Sequence, residues 1–484
     1  MNRGEAPGYE FEVPRGQRQV GGPRHAFGHD SLRQFQRAPS EQEPQSSVRA
    51  ASSGVLDIMR SRNWLMGLAA PILAAIVIGI AVVVVTGGGG NGGTAPSALA
   101  AGFPPARIAG AQFAGTASTS RVALSAIGVS AATEVVAGGV NGAPALWASS
   151  DGGTDWTRAV LDEPGAPTRA ASGQFASVTH GTAGWLAVGT TLAGTGGPLV
   201  ATSANGRTWT MTGGVTGLGA GATVAAAAVA GPDGYVIVGH QSLGKSDMAA
   251  ATAWYSSGLT GWQSAAISAT GQQGGSGADI QLMNAVAVTN GGFTAVGATG
   301  TSPAAWVSAT GKTWRQVQVP APAAAARSAL DYVAANDGDV VATGTEFSAS
   351  GASSPFAEVS TNAGATWAEI QLPVPDIGPR TGTTVTALTA AGGGFTAVGT
   401  YVTKAGPEVV VWTLAPGAPV TSSANWAAVT PQGTGLAGSS AENAITALTA
   451  DGATLTGVGF TAALSSSGVP GTQQPTLWQS PIRY

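Results

Sequence analysis

The 484-residue sequence predicts an all-β fold: a seven-bladed β-propeller ectodomain, preceded by one transmembrane helix and a disordered cytoplasmic tail. Three observations carry this prediction. A β-branched or aromatic strand ending in glycine recurs seven times. Tryptophan returns at two fixed places, in the third strand of five recurrences and opening the fourth strand of six, and one long uncharged apolar run separates the recurrences from the N terminus.

From the N terminus, residues 1–62 hold nine Arg, no Lys and seven Asp or Glu among scattered Pro, Gln, Gly and Ser. So few apolar groups cannot offset the entropy of ordering, which predicts a largely disordered tail. The tail either only sets topology or folds on a protein partner. Residues 63–86 include the uncharged run "WLMGLAAPILAAIVIGIAVVVVT". About 20 such residues at 1.5 Å each span a bilayer core. A cleaved signal peptide fits less well, because 63 residues precede the run. Arg60 and Arg62 flank one end, and no Lys or Arg follows until Arg107, which places residues 1–62 in the cytoplasm. The expected location is the cell membrane, single-pass, with the C-terminal domain extracytoplasmic. Residues 87–103, rich in glycine, form a flexible linker.

Residues 104–484 carry the repeats. The recurring strands are "VVAGG" (135–139), "WLAVG" (185–189), "YVIVG" (235–239), "FTAVG" (293–297), "VVATG" (340–344), "FTAVG" (395–399) and "LTGVG" (455–459). Their last glycines are spaced 50, 50, 58, 47, 55 and 60 residues apart, room for one four-stranded unit each. Apolar–polar alternation marks half-buried strands. Trp147, Trp254, Trp306, Trp412 and Trp478 fall in third strands. Trp156, Trp209, Trp262, Trp314, Trp367 and Trp426 open fourth strands. Large rings at fixed positions suit the wedge-shaped gaps between radial sheets. The seventh unit ends after its third strand, so residues 106–115 ("ARIAGAQFAG") are expected to pair into it and close the ring.

The composition excludes several functions. The chain has no Cys, which removes disulfides, zinc–thiolate sites and thiol catalysis. A net charge of −4 argues against nucleic-acid binding. Outside the tail only His180 and His240 are present, too few for a histidine metal site. No cofactor motif appears, and neither cofactor nor metal is expected.

The turn before the fourth strand resembles the Asp-box, S-x-D-x-G-x-T-W, of sialidase-like and sortilin-like propellers. "SSDGGTDW" (149–156) supplies Ser149, Asp151, Gly153 and Trp156, and "STNAGATW" (360–367) supplies Ser360, Asn362, Gly364 and Trp367. Units two, three and four carry shorter, degenerate copies. The resemblance implies a structural turn on the rim, away from any active centre. A calcium loop would need more oxygen ligands and a distal bidentate carboxylate.

The resemblance also tests for a sialidase. That activity would need an arginine triad, a Tyr–Glu pair, an Asp acid and an F/Y-R-I-P segment, and the segment is missing. Arg121, Arg169, Arg327 and Arg380 do precede first strands. They either ring one channel mouth and bind an anion or are solvated loop residues. The face opposite the Asp-box turns, on the same side as the loops between blades, carries further candidates in loops between second and third strands: His240, Lys245, Asp247, Glu346, Tyr401 and Lys404. The expectation is therefore a non-enzymatic binding, scaffold or sensor protein. It would link an outer protein or glycan ligand to a cytoplasmic partner, such as a secretion or injection machine. The alternatives are a glycan-processing enzyme and a passive surface protein.

Overall fold

Runs such as "GYVIVGHQS" and "GFTAVGAT" are rich in Val, Ile, Thr and aromatics, and short Gly-containing turns bound them, so each extends into a strand and folds back as a hairpin. A computed structural model describes residues 121–482, apart from 163–171, 192–196, 213–216, 219–221, 244–247, 269–279, 376–381, 404–405, 432–440, 453, 464–470 and 472.

Blade 1 contains β1 (Val122–Ser130), β2 (Thr133–Val140), β3 (Ala143–Ser149) and β4 (Thr157–Arg158), followed by β5 (Val160–Asp162). Blade 2 contains β6 (Gly173–Gly181), β7 (Gly184–Thr191), β8 (Pro198–Ser203) and β9 (Thr208–Thr212). Blade 3 contains β10 (Thr223–Gly231), β11 (Gly234–Ser242), β12 (Ala249–Ser256) and β13 (Gln263–Ser264), followed by β14 (Ala266–Ser268). Blade 4 contains β15 (Gln281–Thr289), β16 (Gly292–Thr299), β17 (Ser302–Ser308) and β18 (Thr313–Val317). Blade 5 contains β19 (Arg327–Asn336), β20 (Asp339–Phe347), β21 (Ser353–Ser360) and β22 (Ala368–Gln371). Blade 6 contains β23 (Thr383–Ala391), β24 (Gly394–Thr403), β25 (Gly406–Leu414) and β26 (Trp426–Val429). Blade 7 contains β27 (Ala441–Asp451), β28 (Thr454–Ala463) and β29 (Gln474–Pro481).

Each blade is an antiparallel meander, and the first strands contact one another in sequence, with β27 returning to β1. The chain is thus an all-β, seven-bladed propeller with its first strands around the axis. Blade 7 shows three strands among the described residues; the expected fourth, 106–115, lies outside them, as do the tail, the apolar run and the linker. No helix among the described residues is long and apolar enough to cross a membrane. Two meanders gain a strand that the sequence did not announce. β5 and β14 leave their own blades and pair in parallel with β9 and β18 of the next, strapping neighbouring outer edges together.

The tryptophans fill the gaps between blades as expected. Trp412 packs on Ala357, Val359 and Ile370 of blade 5, and its Nε1 donates to the Pro373 carbonyl at 2.6 Å. Trp147 and Trp156 meet Ala447, Val458 and Leu477 of blade 7, which closes the ring. The second strands depart from simple alternation: Tyr235–His240 is buried throughout, because neighbouring blades cover both sheet faces.

The repeated glycine has a specific cause. A Cβ on Gly344 would stand 1.8 Å from the Ala329 carbonyl oxygen, where the first strand bends against the second. In blade 1 this position belongs to Gly138, whose Cβ would lie 1.9 Å from the Ala123 oxygen, not to Gly139 as the strand pattern suggested.

Hairpins between first and second strands share one face with the turns before fourth strands; we call it the turn face. On it, Ser149 Oγ donates to Asp151 Oδ1 (2.7 Å) and accepts from the Gly153 N–H (3.0 Å). Asp151 Oδ1 also accepts from the Thr154 and Asp155 N–H groups, both at 3.0 Å, and Trp156 Nε1 donates to the Gly153 carbonyl. Blade 5 repeats this through Ser360, Asn362 and Gly364, and blade 2 through Ser203, Asn205 and Gly206. The opposite side, with connections between blades, is the loop face.

Candidate functional site around the axial channel

Every first strand carries one β-bulge at the same height, and the extra residues are Ser125, Ala176, Ala226, Asn284, Asp331, Thr386 and Thr446. A bulge interrupts the ladder and leaves a carbonyl in need of a partner. The next blade's carbonyl is met from the preceding bulge. Ser125 Oγ donates to Phe175 O (2.5 Å), Asn284 Nδ2 to Leu330 O (3.1 Å), Thr386 Oγ1 to Ile445 O (2.6 Å) and Thr446 Oγ1 to Leu124 O (2.6 Å). These four bonds, together with the bulges themselves, make up a belt of bulge positions around the axis, nearer the loop face than the turn face, in which four of the seven blade junctions are bonded.

Asp331 is the one ionisable member of that belt. It is half-buried, and its Oδ1 accepts from Asn284 Nδ2 at 3.2 Å. Burial pushes its pKa up to about 7, against the opposing pull of the Asn284 amide. Burial and the neighbouring Asp331 push the Tyr332 phenol upward as well. A carboxylic acid that keeps its proton close to neutrality beside a channel is equipped for general acid chemistry. Sequence reasoning passed over this residue. Its signal was present: "ALDYVA" places a carboxylate where six other first strands place Ser, Ala, Asn or Thr.

The structure distributes the predicted residues differently. Arg121 is exposed just ahead of β1, its N–H bonded to Asn141 Oδ1 at 2.8 Å. Arg327 opens β19, the strand of Asp331, and its guanidinium lies 4.1 Å from the Phe347 ring centroid. Both therefore sit at the loop-face end of axial strands. Arg169, Arg380, Lys245, Asp247 and Lys404 lie outside the described residues.

His240 and Tyr401 belong to strands rather than loop tips. His240 is buried in β11 and Nδ1 has no partner; burial lowers its pKa to about 4, so the ring is neutral. Tyr401 is buried in β24 and donates to Glu408 Oε2 at 2.6 Å, with its pKa driven up by burial and by Glu408. Glu346 is half-buried in β20, where it pairs with Ser328 of the axial strand β19, and its pKa is raised by burial and then by Glu369 of β22. Among the described residues no three His, Asp or Glu side chains are grouped to hold a metal.

No protein-family model matches the chain, and no curated protein is similar to it. Solved structures are similar at low identity. One is YCF48 bound to D1 peptide: 11% identity, TM-score 0.44, 76% of this chain and 95% of that one. Another is the GH93 α-L-arabinofuranosidase of Fusarium graminearum with arabinobiose: 12%, TM-score 0.41, 79% and 97%. A third is the Trypanosoma rangeli sialidase in complex with the inhibitor DANA: 11%, TM-score 0.37, 75% and 54%. The expectation of a non-enzymatic protein is corrected by these findings, since glycoside hydrolases and a sialidase stand among the similar propellers.

Proposed function

We propose that this chain is a membrane-anchored protein whose extracytoplasmic propeller processes an acidic glycan at the loop-face mouth of its axial channel, with Asp331 as proton donor. The observation that carries this reading is the setting of Asp331: desolvated, part-exposed on the axis and still protonated near neutrality. Acid-assisted cleavage of a glycosidic bond needs a carboxyl group in that state. Arg121 and Arg327 supply positive charge at the same mouth for a glycan carboxylate.

The uncharged run at 64–86, with Arg60 and Arg62 before it, supports the anchor and its orientation. We read the turn-face motifs as Asp-boxes that hold the rim. The arginine-rich tail would connect the propeller to a cytoplasmic partner.

The test uses the full-length protein in detergent, incubated with uronic-acid and sialic-acid polymers and assayed for released sugar. Asp331→Asn is expected to abolish release and leave binding intact, and Arg327→Gln to raise KM. Undiminished release by Asp331→Asn, or no release from any such polymer by the unaltered protein, overturns the reading.

A further inference from the structure

Four places before the repeated glycine, six second strands carry a buried apolar residue: Trp185, Tyr235, Phe293, Val340, Phe395 and Leu455. Blade 1 places Glu134 there. Glu134 is 5% exposed, and its Oε2 is buried without a hydrogen-bond partner. A carboxyl in that condition costs far more than the side chains it replaces. In the β2–β3 ladder it stands opposite Ser149, the residue that anchors the turn at 149–156.

That turn is seated differently from its counterparts. A Cβ on Gly206 of blade 2 would stand 2.9 Å from Val135 Cγ2 and 3.4 Å from Trp185 Nε1. On Gly311 of blade 4 it would stand 2.5 Å from Val236 Cγ2 and 3.6 Å from the Phe293 ring. Both turns rest on large apolar side chains of their own blade and the preceding one. On Gly153 the same atom would meet Glu134 Oε2 and Gln479 Nε2, each at 2.7 Å. Gln479, on β29 of blade 7, also donates from Nε2 to the Gly152 carbonyl at 3.0 Å. An amide tie over a buried carboxyl therefore holds this turn where blade 7 meets blade 1 and the ring closes.

The charges around Glu134 oppose its ionisation. Asp451 ends β27 on the turn face, and Asp151 lies in the turn itself, as does the exposed Asp155. The strands β28 and β29 bring no charged residue. Arg158 stands opposite Trp147 on β4, two residues from the Glu134–Ser149 row and one strand further out. Burial, then Asp451 and Asp151, push the Glu134 pKa up to about 7.

We propose that this seam is a pH-sensitive latch: the protonated Glu134 carboxyl lets the turn of blade 1 seat on blade 7, and its ionisation against Asp451 and Asp151 lifts the turn and opens the seam. Opened, the carboxyl is hydrated and returns to its ordinary value of 4.5; closed, it titrates at about 7. The closed seam therefore weakens progressively from pH 4.5 to about 7 and levels off above. Lifting the turn breaks the Gln479 tie and admits water to Glu134, while the apolar contacts of Trp147 with Ala447, Val458 and Leu477 keep the blades together. The latch stands apart from the axial chemistry and does not depend on it.

The experiment is hydrogen exchange read by mass spectrometry on full-length protein in detergent, with each rate divided by the intrinsic rate at that pH. From about pH 5 to about pH 8, protection at 149–156 and 474–481 should fall about tenfold or more. Protection at 308–314, the matching turn of blade 4, should change little. Glu134→Gln keeps the shape and removes the titration, and Glu134→Leu installs the residue type that blade 7 has at Leu455. Both should hold seam protection constant with pH, and should the first fail to fold, the second alone decides. Seam protection that does not fall, an equal fall at 308–314, or a fall that persists in the folded variants overturns the latch.

Discussion

Glu358 lies directly opposite Glu369 across β21 and β22, in the register position where blades 1, 3, 4, 6 and 7 carry a third-strand tryptophan. Blade 5 thus presents a carboxyl group where its counterparts present an indole wedge. Glu358 is fully buried and neither oxygen has a hydrogen-bond partner, whereas Glu369 is half-buried and accepts from Gln371 Nε2 at 2.8 Å. Burial, and then Glu369, push the Glu358 pKa to about 9.

This pair makes stability depend on pH. Below pH 4.5 the folded and unfolded chains both keep the proton. Between about 4.5 and about 9 the unfolded chain releases it while the folded chain holds it, so stability falls across that window and levels off above it. Glu358→Gln copies the protonated shape and removes the titration. Its melting temperature should fall less over the window than the unaltered protein's, because Asp331 still titrates there, and should exceed it by about 2 °C or more at pH 8. Parallel melting curves across pH would reject the assignment.

Backbone contact at the repeated glycine predicts a sharp contrast between two substitutions. Gly344→Ala would place Cβ 1.8 Å from the Ala329 oxygen, and neither strand can retreat because neighbouring blades pack on both faces. The expected cost is about 2–4 kcal/mol in urea unfolding. Gly258→Ala meets nothing within 4 Å and should be close to neutral. Comparable losses in both variants would disprove the steric account.

Period and residue type made the blades legible, because each unit repeats one grammar under one packing constraint. Gly138 was misassigned to Gly139 because two adjacent glycines satisfy the same pattern, and only the bulge register separates them. β5 and β14 were illegible: three residues with ordinary composition gain their strand character from a neighbouring blade's free edge. Asp331 and Glu358 each depart from the repeat at one position, visible only when strands are aligned by bulge and ladder rather than by glycine. His240 and Tyr401 looked like loop residues because their strands run past the glycine toward the loop face.

The turn at 149–156 predicts that geometry matters there and charge does not. Asp151 is exposed, and its carboxylate is held below the usual range first by the Asp155 N–H and then by the Ser149 hydroxyl. Asn205 and Asn362 perform the same acceptor role in blades 2 and 5. Asp151→Asn should therefore melt with the unaltered protein near neutral pH, and Asp151→Ala should melt lower. The gap between Asp151 and Asp151→Ala should close as pH falls through the lowered pKa, when the carboxylate protonates and ceases to be a strong acceptor. A gap that persists in strong acid would count against the bonding scheme.

The axial acid can be tested by moving its titration rather than deleting it. Asp331 is protonated below about pH 7, so a step that uses it as an acid should run at full rate there and fall about tenfold per pH unit above. The Asn284 amide opposes the shift by bonding the carboxylate, so Asn284→Leu should raise the pKa and carry the alkaline limb to higher pH. The same variant removes a belt bond to the Leu330 carbonyl, at about 1 kcal/mol of stability. Stability and titration therefore separate. Ser125→Ala removes a bond of the same kind from a bulge that bears no carboxylate, and should lower stability while leaving the limb in place. Titration of a ¹³C-labelled Asp331 carboxyl reads the shift directly, with or without turnover. A carboxyl that titrates near pH 4 in the folded protein would remove the proton donor on which the functional reading depends.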